Sequence, residues 1–184
     1  MRVISGIAKG RRLKDVPGDS TRPITDRVKE ALFNILAGEL IETTWWDLFS
    51  GTGAVGIEAL SRGAQFVRFI DLERNAIMTV KQNIDLVGFA DKVEIRQGDA
   101  FSYLQMKPDR TFDYIYIAPP QYKELWKKTL IDLDANINWT NENSLVIVQI
   151  HPKEYSVISL NNLVEIDQRK YGSTMLVFYE RLPK

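Results

Sequence analysis

Hydrophobic and polar positions change rhythm along this chain, and each change marks an element. Residues 2–16 alternate as a short hairpin does, with Lys9-Gly10 at the turn, and residues 17–23 have loop composition. From Thr25, a residue suited to cap a helix, Val28, Leu32, Ile35 and Leu36 recur at helical spacing. That pattern predicts a helix with Arg27 and Lys29 on its other faces, ending or loosening at Gly38. Residues 47–60 read as a buried strand, a glycine-rich turn and the first turns of a helix. A strand over 66–71 follows, then a helix lined by Ile77, Val80, Ile84 and Val87. Next come a strand over 92–99, a short helix with Phe101 and Leu104, and a strand over 113–118 that stops at Pro119-Pro120. A helix over 125–133 and a strand over 144–150 continue the alternation, which is that of a parallel sheet covered on both faces.

The last part of the chain breaks this rhythm. Residues 163–171 and 174–180 are two strand-like runs with only Gly172-Ser173 between them, too few for a parallel crossover, so the sheet finishes in an antiparallel hairpin. That ending matters for the glycine loop Gly51-Thr52-Gly53-Ala54-Val55-Gly56. Gly51 and Gly53 let the backbone turn sharply beside a ligand, and Gly56 lets the following helix pack on the sheet. The same spacing serves dinucleotide enzymes, S-adenosylmethionine enzymes and plain strand-to-helix turns. A dinucleotide fold is built from crossovers throughout, whereas a terminal hairpin is the ending of the S-adenosylmethionine-dependent methyltransferase fold. The expected architecture is therefore α/β and Rossmann-like. Its seven-stranded, mostly parallel sheet ends in an antiparallel hairpin and is preceded by an N-terminal β-hairpin arm.

Composition narrows the picture. With 184 residues, 45% of them hydrophobic, the chain suits a single domain, read as an arm over 1–20 and a core over 21–184. It has no cysteine, which removes disulfides, thiolate metal sites and a cysteine nucleophile. No apolar run approaches the ~20 residues needed to span a bilayer, and the N-terminus has no signal-like core, so a cytoplasmic protein is expected. Lys plus Arg and Asp plus Glu balance at 24 each, yet basic residues crowd the first thirty positions. That crowding suits either a phosphate-facing surface or a charged hairpin that blocks edge pairing.

In an open parallel sheet the ligand lies beyond the carboxyl ends of the strands. Asp47, Asp71 and Asp99 fall there, 24 and 28 residues apart, about one strand-helix unit each. S-adenosylmethionine offers an ammonium, a ribose diol and an adenine amine, all donors to a carboxylate, and it carries no pyrophosphate for an acidic rim to repel. Taken singly the carboxylates have other readings. Asp99 would cap a helix, and Asp71, twenty residues past Gly51, would also suit a dinucleotide ribose. The lone histidine, His151, reads as a polar residue leaving the fifth strand.

Residues 22–34, Arg-Pro-Ile-Thr-Asp-Arg-Val-Lys-Glu-Ala-Leu-Phe-Asn, resemble the motif before the cofactor loop in the RsmD family of bacterial 16S ribosomal RNA guanine-N2 methyltransferases. The loop over 47–58, the Asp99-Ala100 pair and Lys170-Tyr171-Gly172-Ser173-Thr174 follow that family in order, so the similarity spans nearly the whole chain. The resemblance implies methyl transfer from S-adenosylmethionine to the exocyclic amine of a guanine in small-subunit ribosomal RNA or an assembling 30S particle. It implies a cytoplasmic monomer without a metal. Asp47 would face the methionine amino group, Gly51 and Gly53 the methionine backbone, Asp71 with Leu72 the ribose, and Asp99 with Ala100 the adenine. Arg11, Arg12, Lys14, Arg22 and Arg27 would meet RNA, with Thr25 beside them helping the cofactor pocket or RNA approach. The absence of cysteine agrees, since pyrimidine C5 methylation generally needs a thiolate adduct.

One motif departs from the family. Where the family has Asp or Asn, Pro-Pro, then Tyr or Phe, this chain has Ala118-Pro119-Pro120-Gln121. The backbone carbonyls around Pro119 remain as acceptors, and Tyr122 stands one place later as a stacking ring. Gln149 stands near the end of the fifth strand where Glu is expected of the family. The alternative is a noncatalytic ribosomal RNA binding or assembly module that retains the cofactor fold.

Overall fold

The computed structural model describes residues 1–18, 23–38 and 40–182. Arg22, one of the expected RNA contacts, lies outside these residues. The chain alternates α1 (Asp26–Ile35), β1 (Thr44–Asp47), α2 (Ala54–Ser61), β2 (Phe66–Asp71), α3 (Arg74–Val87), β3 (Val93–Gln97), α4 (Ala100–Leu104), β4 (Phe112–Ile117), α5 (Leu125–Ala135) and β5 (Thr140–Ile150). It closes with β6 (Leu163–Tyr171) and β7 (Thr174–Arg181). The sheet order is β3-β2-β1-β4-β5-β7-β6; β1 to β5 pair in parallel, and β7 lies antiparallel between β5 and β6. The direction of winding reverses between β1 and β4, so a cleft opens there beyond the strand ends.

Two apolar layers sandwich the sheet. One contains Trp45, Phe69, Tyr116 and Ile147 under α1 to α3, and the other Trp46, Ile70, Ile115 and Val148 under α4 and α5. Alternate residues of a strand go to opposite faces, which is why the Trp45-Trp46 pair serves both layers. Gly56 has the role expected of it, because a Cβ there would collide with the Phe69 ring and lie 2.7 Å from Val67 Cγ1. Thr25 caps α1 by accepting from Val28 N–H at 3.3 Å.

Three expectations change. The N-terminal segment pairs antiparallel through a single bridge, Arg2 to Arg12, and its turns occupy residues 5–10 rather than Lys9-Gly10 alone. It is fastened down: Ile4 and Ser5 N–H donate to the Glu58 carboxylate at 2.8 and 3.0 Å, Ala8 N–H donates to Ser61 Oγ, and Val3 and Leu13 are buried. Within the segment Val3 N–H donates to Arg11 C=O, Gly10 N–H to Val3 C=O and Leu13 N–H to Met1 C=O, and backbone groups left over use side chains of α2. Lys29 does not face solvent but is fully buried, its Nζ donating to Arg2 C=O at 2.6 Å and lying 3.5 Å from the buried Glu58 carboxylate. Burial lowers its pKa and the neighbouring carboxylates oppose the fall. Ile35, expected on the apolar stripe, is instead 39% exposed, while Phe33 is buried beneath the Arg62 guanidinium.

Candidate functional site

The cleft is built by the turn from β1 into α2. Leu48 N–H bonds Tyr116 C=O and Ser50 N–H bonds Ile70 C=O, so the chain runs on between β4 and β2 for three residues past β1. Gly51 (φ 51°) and Gly53 (φ 77°) then adopt left-handed backbone, and a Cβ on Gly51 would meet no protein atom, so this side of the loop is open to a ligand. The Asp71 carboxylate fixes the loop by accepting from Gly51 N–H and Glu73 N–H, each at 2.9 Å, while Asp71 C=O accepts from Gly98 N–H. The ends of three successive strands are thus tied through one residue.

Asp47, the last residue of β1, is 2% exposed, and its Oδ1 has no hydrogen-bond partner. Burial and then the Asp71 charge push its pKa up to about 8, and the amides of Phe49 and Gly56 only partly oppose this. A carboxyl buried with an unanswered oxygen is costly unless a cationic donor completes it. That requirement fits an ammonium group. Asp99, half-exposed, takes the capping reading: Oδ2 caps α4 by accepting from Ser102 N–H at 3.1 Å, and Oδ1 accepts no hydrogen bond among the described residues. Leu72 is 63% exposed at the rim, and Ala100 is buried at the start of α4.

Past β4, Ala118 is half-buried, Pro119 buried and Pro120 exposed. Tyr122 (φ 62°) and Glu124 (φ 52°) hold left-handed backbone without being glycine, a conformation that must be imposed by neighbours. Here Glu154 does so in part, accepting from Tyr122 N–H at 2.7 Å. The Tyr122 ring is 65% exposed and lies 5.6 Å from the His151 ring. His151 also caps a short helical turn, its Nδ1 accepting from Lys153 N–H.

Arg11, Arg12, Lys14 and Arg27 all present exposed side chains. Sequence reasoning missed the residue that joins this basic segment to the loop. Asn83 of α3, fully buried, donates to Thr52 C=O in the glycine loop and to Lys14 C=O, and accepts from Lys14 N–H at 2.7 Å. Its only sequence signal is an amide on the buried stripe of a helix. Among the described residues there is no cluster of three metal-ligating side chains, and no helix is long and apolar enough to cross a membrane.

A parallel sheet reversed only at β7, with a glycine turn after β1 and carboxylates at the ends of β1 and β2, defines the S-adenosylmethionine-dependent methyltransferase fold. Within it the chain belongs to the RsmD family: the family described as conserved hypothetical protein 95 matches residues 1–180. The Bacillus subtilis protein named "Putative rRNA methyltransferase YlbH" is 37% identical over 184 residues, covering 98% of this chain and 99% of that one. Ribosomal RNA small subunit methyltransferase D of Escherichia coli is 32% identical over 149 residues, 81% of this chain and 74% of that one. Among solved structures, "Putative methyltransferase yhhF" of Escherichia coli superposes with a TM-score of 0.85 at 30% identity, covering 100% of this chain and 99% of that chain. A methyltransferase fold crystallised with SAH, SMU.776, has a TM-score of 0.67 at 17% identity over 84% of this chain and 48% of that one, a likeness of fold alone.

Proposed function

We propose that this protein is an S-adenosylmethionine-dependent methyltransferase acting on small-subunit ribosomal RNA, and that its acceptor is the exocyclic N2 amine of a guanine. The observation that carries the reading is Asp47, a buried carboxyl whose free oxygen answers the need of an ammonium beside an open glycine turn. The names of the relatives supply the substrate class, and the resemblance of residues 22–34 supplies the base.

When bound, S-adenosylmethionine supplies a methyl group on a sulfonium, so that an N–C bond forms as the C–S bond breaks and its electron pair stays on sulfur. What falls to the protein is placement. Asp47 holds the methionine ammonium, the turn at Gly51 and Gly53 lies against the methionine backbone, Asp71 with Leu72 meets the ribose, and Asp99 with Ala100 the adenine. The carbonyls around Ala118, Pro119 and Pro120 accept hydrogen bonds from the acceptor amine, and Tyr122 stacks on a base taken out of its helix. Arg11, Arg12, Lys14, Arg22 and Arg27 meet phosphates, which position the RNA without reading its sequence. The protein acts as a cytoplasmic monomer.

The test is transfer of tritiated methyl groups to small subunits isolated from cells lacking this protein, followed by nucleoside analysis. Expected is labelled N2-methylguanosine. Label in another nucleoside would overturn the choice of base. Cofactor binding without transfer would leave a cofactor-dependent ribosomal RNA binding module, a reading favoured by the bare methyl group at Ala118.

A further inference from the structure

Ala118 brings no side-chain polar atom to the cleft, so any side chain that joins the backbone carbonyls in orienting the acceptor amine must come from a neighbour. On the face of the sheet under α1 to α3, Asp47 of β1 pairs in register with Tyr116 of β4, and Tyr116 pairs with Ile147 of β5. The last registered pair of these two strands is Ile117 with Val148, and Ala118 and Gln149 are the next residue of each chain segment. The Tyr116 hydroxyl, on a ring only 3% exposed, donates to Gln149 Oε1 at 2.6 Å. Gln149 itself is half-buried. A polar line therefore crosses three strands from the buried carboxyl to a partly open amide beside Ala118.

We infer that Gln149 is the side chain that orients the acceptor amine, and that it reads an amine flanked by an unprotonated ring nitrogen. This inference rests on the methyltransferase reading above. The Tyr116 hydroxyl fixes which end of the amide is which, because a hydroxyl buried among apolar groups keeps its proton on the acceptor it has. Oε1 then retains one lone pair for an amine proton, and Nε2 retains its protons for an acceptor next to that amine. A single amide meets such a pair at two points, as amides do with the amine and ring nitrogen of adenine. In guanine the matching pair is the N2 amine with N3. The opposite flank, N1–H with N2–H, offers two donors and would call for a carboxylate. Holding one amine proton on Oε1 fixes the amine edge-on, with its nitrogen lone pair perpendicular to the ring plane and facing the incoming methyl carbon, and the proton lost after transfer leaves to solvent.

The test uses the full chain, tritiated S-adenosylmethionine and small subunits from cells lacking this protein. Gln149→Leu should lower kcat by about 10- to 100-fold, as expected for one or two hydrogen bonds made in the transition state. Its calorimetric Kd for S-adenosylmethionine should match the native protein, while its Tm should fall by about a few degrees, because the buried Tyr116 hydroxyl loses its acceptor. Gln149→Glu should work at low pH, where a neutral carboxyl has the amide's donor and acceptor, and fail as that carboxyl ionises. The native protein should lack this limb. Tyr116→Phe should lose activity in the same direction but less, and it carries the test with Gln149→Glu should Gln149→Leu not fold. An active native protein with an indifferent Gln149→Leu would sink this inference alone. A Gln149→Glu variant that gains activity as pH rises would show that the base presents two donors, and a flat profile would reduce Gln149 to a structural residue. No transfer by the native protein would remove this inference together with the function it rests on.

Discussion

Replacing Asp47 by asparagine separates what this carboxyl costs the fold from what it does for the cofactor. In the unfolded chain it ionises near 3.8; in the fold it holds its proton to about 8. Between those values the folded protein binds a proton that the unfolded chain has released, so stability falls as pH rises, by ~1.4 kcal/mol per pH unit and ~6 kcal/mol across the window. Above about pH 8 both states are ionised and this loss is complete. The amide of Asp47→Asn titrates in neither state. The variant should therefore match the native protein near pH 4 and exceed it by several kcal/mol at pH 8.5. The same change should weaken S-adenosylmethionine by the ~1.5–3 kcal/mol of a charge-assisted hydrogen bond, roughly 10- to 150-fold. Native Asp47 should also release about 0.9 proton when the cofactor binds at pH 7, since a group with a pKa near 8 is then mostly protonated. Urea unfolding from pH 4.5 to 8.5 reads the first effect, and calorimetry in two buffers of different ionisation heat reads the others. Parallel stability profiles for the two proteins, or wild-type cofactor affinity in the variant, would refute the argument.

Glu58→Gln should destabilise by ~3–5 kcal/mol in urea, because buried Lys29 would lose its nearer charge partner and keep only Asp26 at 4.0 Å; a loss under about 1 kcal/mol would mean that Asp26 or solvent suffices for this lysine. Gly56→Ala should cost ~1–3 kcal/mol by overpacking against Phe69 and Val67, and the displaced α2 should weaken cofactor binding in calorimetry. Replacing Arg11, Arg12 and Lys14 together by Ala should lower the slope of log affinity against log salt by roughly 0.7–0.9 for each RNA phosphate that is no longer neutralised, measured by filter binding. An unchanged slope would leave those residues as an exposed edge of the fold.

Much of the architecture was legible because it is written in local patterns. Residues 66–71 and 163–171 are strands with the bounds that alternation gives, and the two-residue link Gly172-Ser173 forced β7 to run backwards. Strand β5 begins four residues earlier than its apolar run, at Thr140, since a register shift opposite Phe112 and Tyr114 lets polar residues enter the ladder. The site was less legible, for one physical reason: its decisive partners are distant in the chain. Lys29 reads as a surface lysine until Glu58, on another helix, is seen to face it. Gln149 looked like a mere departure from Glu until Tyr116, 33 residues earlier, was found holding it. Asp47 was singled out by position, but its unanswered oxygen and raised pKa follow from burial, which no spacing reports.

The placement of β7 bears on how the chain is made. It leaves the ribosome after both β5 and β6, yet it occupies an inner place between them. Until residue 181 has emerged, β5 presents an unpaired edge with Val146, Ile147 and Val148, and β6 has no partner in the sheet. Such an edge is a template for pairing with other nascent chains. Gln149 also gains its ladder partner, Leu176, only at this step. The insertion of β7 seals the sheet against aggregation and fixes the strand that carries Gln149, so a nascent chain stalled or clipped before it would be sticky.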